Sequence, residues 1–173
     1  MKIIFANKFI IFLICFLVFF TQEVMADEKS ILLGEKIWKE RIKCGYCHGP
    51  FGNGAGNPRS PGNAANLRET QLDRDLLIEV ITCGIPGTEM PYFHKSAYKK
   101  PEICWDMLAE DMGEDMPKKG KKTLSEKSIA ALTDYIIAKI VGKGKITTAE
   151  CEEYFSVGSK RCEGFRQREQ QNQ

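Results

Sequence analysis

Five consecutive residues, Cys44-Gly45-Tyr46-Cys47-His48, concentrate more chemistry than any other stretch of this 173-residue chain. Two thiols three positions apart can cycle between a dithiol and a disulfide. They can also add to the two vinyl groups of one porphyrin, with the next residue, a His, facing its iron. The first reading is a thiol enzyme, the second an electron carrier, and the pentapeptide fits both. A zinc site is a poorer match, because adjacent Cys47 and His48 do not easily reach one tetrahedral ion and no second C-x-x-C follows. The elements that position the motif must choose between them.

A C-x-x-C of the thioredoxin kind follows a buried strand and opens a helix. Upstream here, Ile31, Gly34, Ile37, Trp38 and Ile42 recur at helical spacing with charges between them, so the periodicity predicts an amphipathic helix, with Ser30 as its N-cap. Downstream, residues 49–63 (GPFGNGAGNPRSPGN) are too rich in breakers to open a helix, and no β-α-β alternation follows. The resemblance of C-G-Y-C-H to the site of periplasmic disulfide isomerases therefore ends at the motif. The porphyrin reading uses both flanks, since glycines after the motif let the chain wrap a flat cofactor closely.

An iron held on one side by His48 needs a second ligand. Residues 72–81 predict a second helix, ended by Gly84, and the loop Gly84-Ile-Pro-Gly-Thr-Glu-Met90-Pro-Tyr-Phe93 follows. Methionine ordinarily fills cores, yet Met90 lies in a Pro- and Gly-bounded loop and not on an apolar helix face. Met116 also precedes a proline, but among Asp111, Glu114 and Asp115; Met107 and Met112 lack even that. His94 reads as a surface side chain. Thr123-Leu-Ser-Glu126 has the pattern of a capping box, and Leu124, Ile129, Leu132, Ile136 and Ile140 predict a closing helix.

In this order of parts the sequence resembles the class I, mitochondrial-like bacterial c-type cytochromes over most of residues 27–146. Gly87-Thr-Glu-Met90-Pro91 matches their G-x-x-M-P ligand motif. The resemblance implies an all-α, class I cytochrome c fold, with the N- and C-terminal helices crossed around one covalently bound haem c. It implies that Cys44 and Cys47 anchor the haem, that His48 and Met90 are its axial ligands, and that Gly34 with Trp38 meets Leu132 with Tyr135 where the helices cross. It also implies a proline after the motif whose carbonyl accepts the His48 Nδ1–H. Pro61 is preferred for that role over Pro58, although neither stands in the customary Pro-x-Leu context and Ala65 occupies the place of the proline in Ala-Pro-Asn-Leu relatives. The expected activity is one-electron transfer by a carrier that is not an enzyme, between a dehydrogenase and a downstream oxidase or cytochrome. The phrase Ile85–Phe93 is similar to that of cytochromes serving quinoprotein alcohol or methanol dehydrogenases, which would make such an enzyme the donor. A haem sensor or haem enzyme with a labile Met90 bond is the alternative, and a thiol-disulfide isomerase using Cys44 and Cys47 is the third.

The remaining features set compartment and framework. Lys2 and Lys8, the apolar run of 12 from Phe9 to Phe20, and Val24-Met25-Ala26 read as a signal peptide over residues 1–26, too short to span a bilayer. The mature chain is then expected in the periplasm, without a membrane span and as a monomer. It keeps 23 basic and 22 acidic side chains, a balance that gives no field for nucleic acid. Six cysteines remain, and setting aside Cys44 and Cys47 leaves four, which allow three pairings. Local closure favours Cys83–Cys104, tying an insertion at 95–122 to the Met90 loop, and Cys151–Cys162, stapling an extension at 147–173. Thr147-Thr-Ala-Glu150 reads as the cap of a short helix there, and residues 163–173 as a polar tail. Lys99, Lys100, Lys118, Lys119, Lys121 and Lys122 offer a basic docking edge for an acidic partner, or only a solvated loop. The acidic stretch 110–115 could take Ca²⁺, though carboxylates in an insertion more often only face water.

Overall fold

The computed structural model describes residues 28–61 and 64–171; the expected signal peptide lies outside them. The first helix, α1, is already formed at residue 28 and continues to residue 36, then passes into a π-helical turn, Ile37–Arg41. Ser30 is thus inside the helix and not its cap: its hydroxyl donates to Asp134 Oδ2 at 2.7 Å. The widened turn has a packing reason. Ile37 and Trp38 are neighbours in sequence and both are 1 % exposed, and the wider turn lets both point inward.

A short helix, α2 (Gly45–His48), follows, and then the glycine-rich loop. Helix α3 (Arg74–Cys83) is capped by Asp73, which accepts from the Leu76 N–H, and ends at Gly84 with φ +70°. The closing helix α5 (Glu126–Lys139) starts later than the sequence pattern suggested. Ser125, not Thr123, is the N-cap, because Thr123 belongs to a strand. Helices α1 and α5 meet at Gly34, where a Cβ would stand 2.0 Å from the Ala131 carbonyl oxygen and 2.6 Å from Tyr135 Cβ. Only a glycine permits that approach, which is the crossing expected from Gly34, Trp38, Leu132 and Tyr135. Trp38, Leu77, Ile81, Phe93, Leu124, Leu132 and Ile136 lead the main core, with Met90 and Cys44 packed against its edge.

The fold is predominantly helical, but the insertion departs from an all-α layout. Strand β1 (Tyr92–His94) pairs in parallel with β2 (Lys119–Leu124), Tyr92 opposite Lys119 and His94 opposite Leu124, with a bulge between. A second cluster joins Cys83 at the end of α3 to Ala97, Tyr98, Cys104 and Met112 of the insertion, the last in the short helix α4 (Ala109–Met112). Asp111 accepts from the Leu108 N–H at the start of that helix. Among the described residues, no group of three or more His, Cys, Asp or Glu side chains is clustered so as to hold a metal ion by itself.

Both disulfides follow the locally closing pairing, Cys83–Cys104 and Cys151–Cys162. The expected cap is present on α6 (Thr148–Phe155), where Thr147 accepts from the Glu150 N–H. The polar tail is not a tail: residues Glu163–Gln171 form helix α7. Phe165 reaches Phe51, Arg166 pairs with Glu152, and Glu169 accepts from the Thr148 N–H. These partners lie far along the chain, which is why a sequence with little apolar periodicity folds there. No described helix is long and apolar enough to cross a membrane.

Candidate functional site

The turn from α1 into the C-G-Y-C-H segment is made by Lys43, at φ +61°. Cys44 and Cys47 are the two cysteines without a disulfide among the six described. The loop after the motif folds back tightly on it. Gly54 N–H donates to the His48 carbonyl at 2.8 Å, Asn57 N–H donates to that of Tyr46 at 2.7 Å, and a Cβ on Gly56 would lie 2.1 Å from the Cys47 carbonyl oxygen. The glycines are there because backbone lies on backbone. Trp38 backs the motif, its indole N–H donating to the Pro50 carbonyl and its ring centroid 6.3 Å from that of His48.

His48 Nδ1 stands 3.0 Å from the Ala65 carbonyl. A carbonyl only accepts, so Nδ1 must carry the proton and Nε2 keeps its lone pair, the tautomer a metal ligand needs. The acceptor is therefore Ala65 and not Pro61. Pro58 and Pro61 are both exposed, on a turn whose Arg59 carbonyl accepts from the Tyr46 hydroxyl, while it is the Ala65 carbonyl that meets His48. Any residue supplies a carbonyl, so proline is dispensable. Ala65 could have been found from its place before Asn66-Leu67. Burial also holds the imidazole below its usual pKa, keeping it neutral, against the opposing pull of the Ala65 carbonyl.

The thiols point the same way. Burial pushes Cys44 up to about 12, and burial followed by the charge of Glu89 raises Cys47. A thiol-exchange enzyme needs its attacking thiol lowered toward neutrality, so both shifts run against that chemistry. Protonated, sheltered thiols beside a neutral imidazole suit covalent anchoring and axial ligation of a haem. Glu89, whose charge contributes to that rise, is the residue before Met90 in the loop after α3.

Met90, like Cys44, is partly buried against the main core, whereas Met107, Met112 and Met116 all belong to the insertion cluster. His94, expected at the surface, is 7 % exposed at the end of β1, with Nδ1 accepting from the Ser96 N–H and Nε2 4.0 Å from Glu126. Lys118 pairs with Glu89, and Lys99, Lys100, Lys119, Lys121 and Lys122 are exposed.

Two features of the site have no local sequence signal. Arg68 is 5 % exposed and forks onto Glu150 of α6, Nη1 to Oε1 at 2.5 Å and Nη2 to Oε2 at 3.0 Å, while also donating to the Phe51 and Gly144 carbonyls. Phe51, four residues past Cys47, sits among the rings of Tyr154, Phe155 and Phe165. The C-terminal extension thus supports the loop that follows the motif.

Compared with known proteins, residues 30–109 match the family model described as cytochrome c oxidase, cbb3-type, subunit III. The matched segment, a little under half of the chain, runs from α1 through C-G-Y-C-H and Met90 into α4. It supports a c-type cytochrome: a haem-based electron-transfer protein with haem c, a helical cytochrome fold and redox partners. No curated protein and no solved structure matches.

Proposed function

We propose that this chain is a periplasmic monohaem cytochrome that carries one electron between a dehydrogenase and a downstream oxidase or cytochrome. Cys44 and Cys47 would hold the haem through thioethers, and His48 and Met90 would be its axial ligands. The observation that supports this reading is the pairing of His48 Nδ1 with the Ala65 carbonyl, which leaves the Nε2 lone pair free for a metal. A bound haem c supplies a one-electron iron couple, and Met/His ligation favours a raised potential.

The chain's own residues do the rest. Ala65 orients the imidazole and fixes its tautomer, Trp38 backs it, and Gly56 lets the loop close over Cys47. The exposed lysines near β2 fit an acidic partner surface, and the likeness of the Ile85–Phe93 phrase supports a quinoprotein dehydrogenase as donor. The likeness of residues 30–109 to a cytochrome c oxidase subunit is in keeping with an oxidase on the acceptor side.

Spectroscopy tests the assignment. The ferric protein should show the weak charge-transfer band of a Met–iron bond at the red end of the visible range. Met90→Ala should abolish it and admit CO to the ferrous form. Retention of the band in that variant removes Met90 from the ligand set. A denatured sample from which haem extracts freely removes Cys44 and Cys47 as anchors.

A further inference from the structure

We propose that the insertion between β1 and α5 is a clamp on the Met90 loop, which holds the loop shut against ligands from solution. The proposal rests on the His48/Met90 reading and concerns what keeps that pair together.

The loop's internal hydrogen bonds are few and local. Ile85 N–H donates to the Met90 carbonyl at 3.2 Å, Thr88 N–H to that of Ile85 at 3.2 Å, and Met90 N–H to Thr88 Oγ1 at 3.1 Å. A loop held only so opens readily, since loops lie at the low end of local stability. The insertion adds ties along its length. In the middle, Gly87 N–H donates to the Asp115 carbonyl at 2.9 Å. On the far side, Tyr92 N–H donates to the Lys118 carbonyl at 3.0 Å, where β2 lies alongside β1. At the near end, Cys83 is bonded to Cys104, and the Tyr98 hydroxyl donates to the Cys83 carbonyl at 2.8 Å.

These ties differ in weight. The Lys118–Glu89 pair is exposed on both sides and contributes little. The Tyr98–Cys83 bond is buried and both Cys83 and Cys104 are 0 % exposed, so this end of the clamp is permanent in the folded protein and inaccessible to a dithiol. Gly120 keeps the strands together: a Cβ there would lie 2.5 Å from the Phe93 ring. Two strands, one disulfide and one tyrosine thus converge on the single loop between α3 and β1. Their function is to suppress loop opening, and with it the entry of any small ligand that competes with Met90.

The experiment uses the holoprotein, with two clamp variants, Cys83→Ala/Cys104→Ala and Gly120→Ala, and one control, Cys151→Ala/Cys162→Ala. The control removes the other disulfide, which is equally buried but belongs to the C-terminal cluster. Two rates are read: cyanide binding to the ferric protein, and hydrogen exchange at the Gly87 and Tyr92 amides. The clamp variants should raise both rates about tenfold or more, as a loosened local opening demands. The control should lose thermal stability and keep both rates. Clamp variants at the wild-type rates overturn the proposal, and so does a control that speeds up equally, since global stability would then explain everything. Should the clamp variants not fold, Tyr98→Phe removes one hydrogen bond alone; it should raise both rates by about threefold, and unchanged rates overturn the proposal. A wild-type protein lacking the Met–iron band would refute the ligand assignment, while amide exchange would still judge the clamp.

Discussion

Arg68 ties the loop that follows the motif to α6 without belonging to the motif itself. Its guanidinium holds Glu150 with two hydrogen bonds and the Phe51 carbonyl with a third, at a side-chain exposure of 3 %. A lysine keeps the charge but not the fork. Arg68→Lys should therefore lower unfolding free energy by about 1–3 kcal/mol, read as a shifted urea midpoint. Tyr135 gives a second residue-scale expectation. Burial, then the nearby charge of Glu35, pushes its phenol above the ordinary range. The unfolded phenol ionises near pH 10 and the folded one resists, so this contribution is intact below pH 10 and is lost as pH rises beyond it. The urea midpoint should fall above about pH 10, and Tyr135→Phe should flatten the fall. At this scale the sequence was most legible where chemistry is carried by side-chain type. Cys44, Cys47, His48 and Met90 stand out by identity and spacing. Ala65 acts through its backbone, which a side-chain motif does not encode, so the sequence pattern points to Pro61 instead.

Elements were legible in proportion to how much of their burial is local. Helices α1, α3 and α5 each show an apolar stripe, and Gly34 marks the crossing of two of them. Gly34→Ala should cost about 2 kcal/mol or more, because the new Cβ meets backbone that cannot turn aside. Thermal melting of the holoprotein would show it as a lowered midpoint. The β1–β2 ribbon gave no such signal: Lys119-Gly-Lys-Lys-Thr-Leu124 has mostly exposed side chains, and its partner strand is three residues long. Such a pair forms because Phe93, Gly120 and Leu124 meet across a long connection, not because either strand prefers to be one. The π-helical turn was equally silent, since a helical period cannot tell Ile37 and Trp38, both buried, from a stripe one residue too wide.

At the scale of the molecule, the expected boundary at residue 147 does not separate parts that stand alone. Phe51, Tyr154, Phe155 and Phe165 share one cluster, and Arg68 and Glu150 join loop to extension. A chain ending at Ile146 should lose about 3–5 kcal/mol, from the ring cluster stripped off Phe51 and the lost Arg68–Glu150 fork. Its urea midpoint should fall while the Met90 loop, clamped from the other side, keeps its hydrogen-exchange protection. This interdependence has a consequence for how the protein is made. Synthesis proceeds from the N-terminus, so Cys44 to His48 emerge about a hundred residues before Glu150 and Cys151. Until those last segments arrive, the loop beyond the motif lacks both its ring cluster and its ion pair. If Cys44 and Cys47 anchor a haem as proposed, the nascent chain would pass through an interval in which both thiols are open to solvent, and attachment would have to precede any pairing of them with the four cysteines still to come.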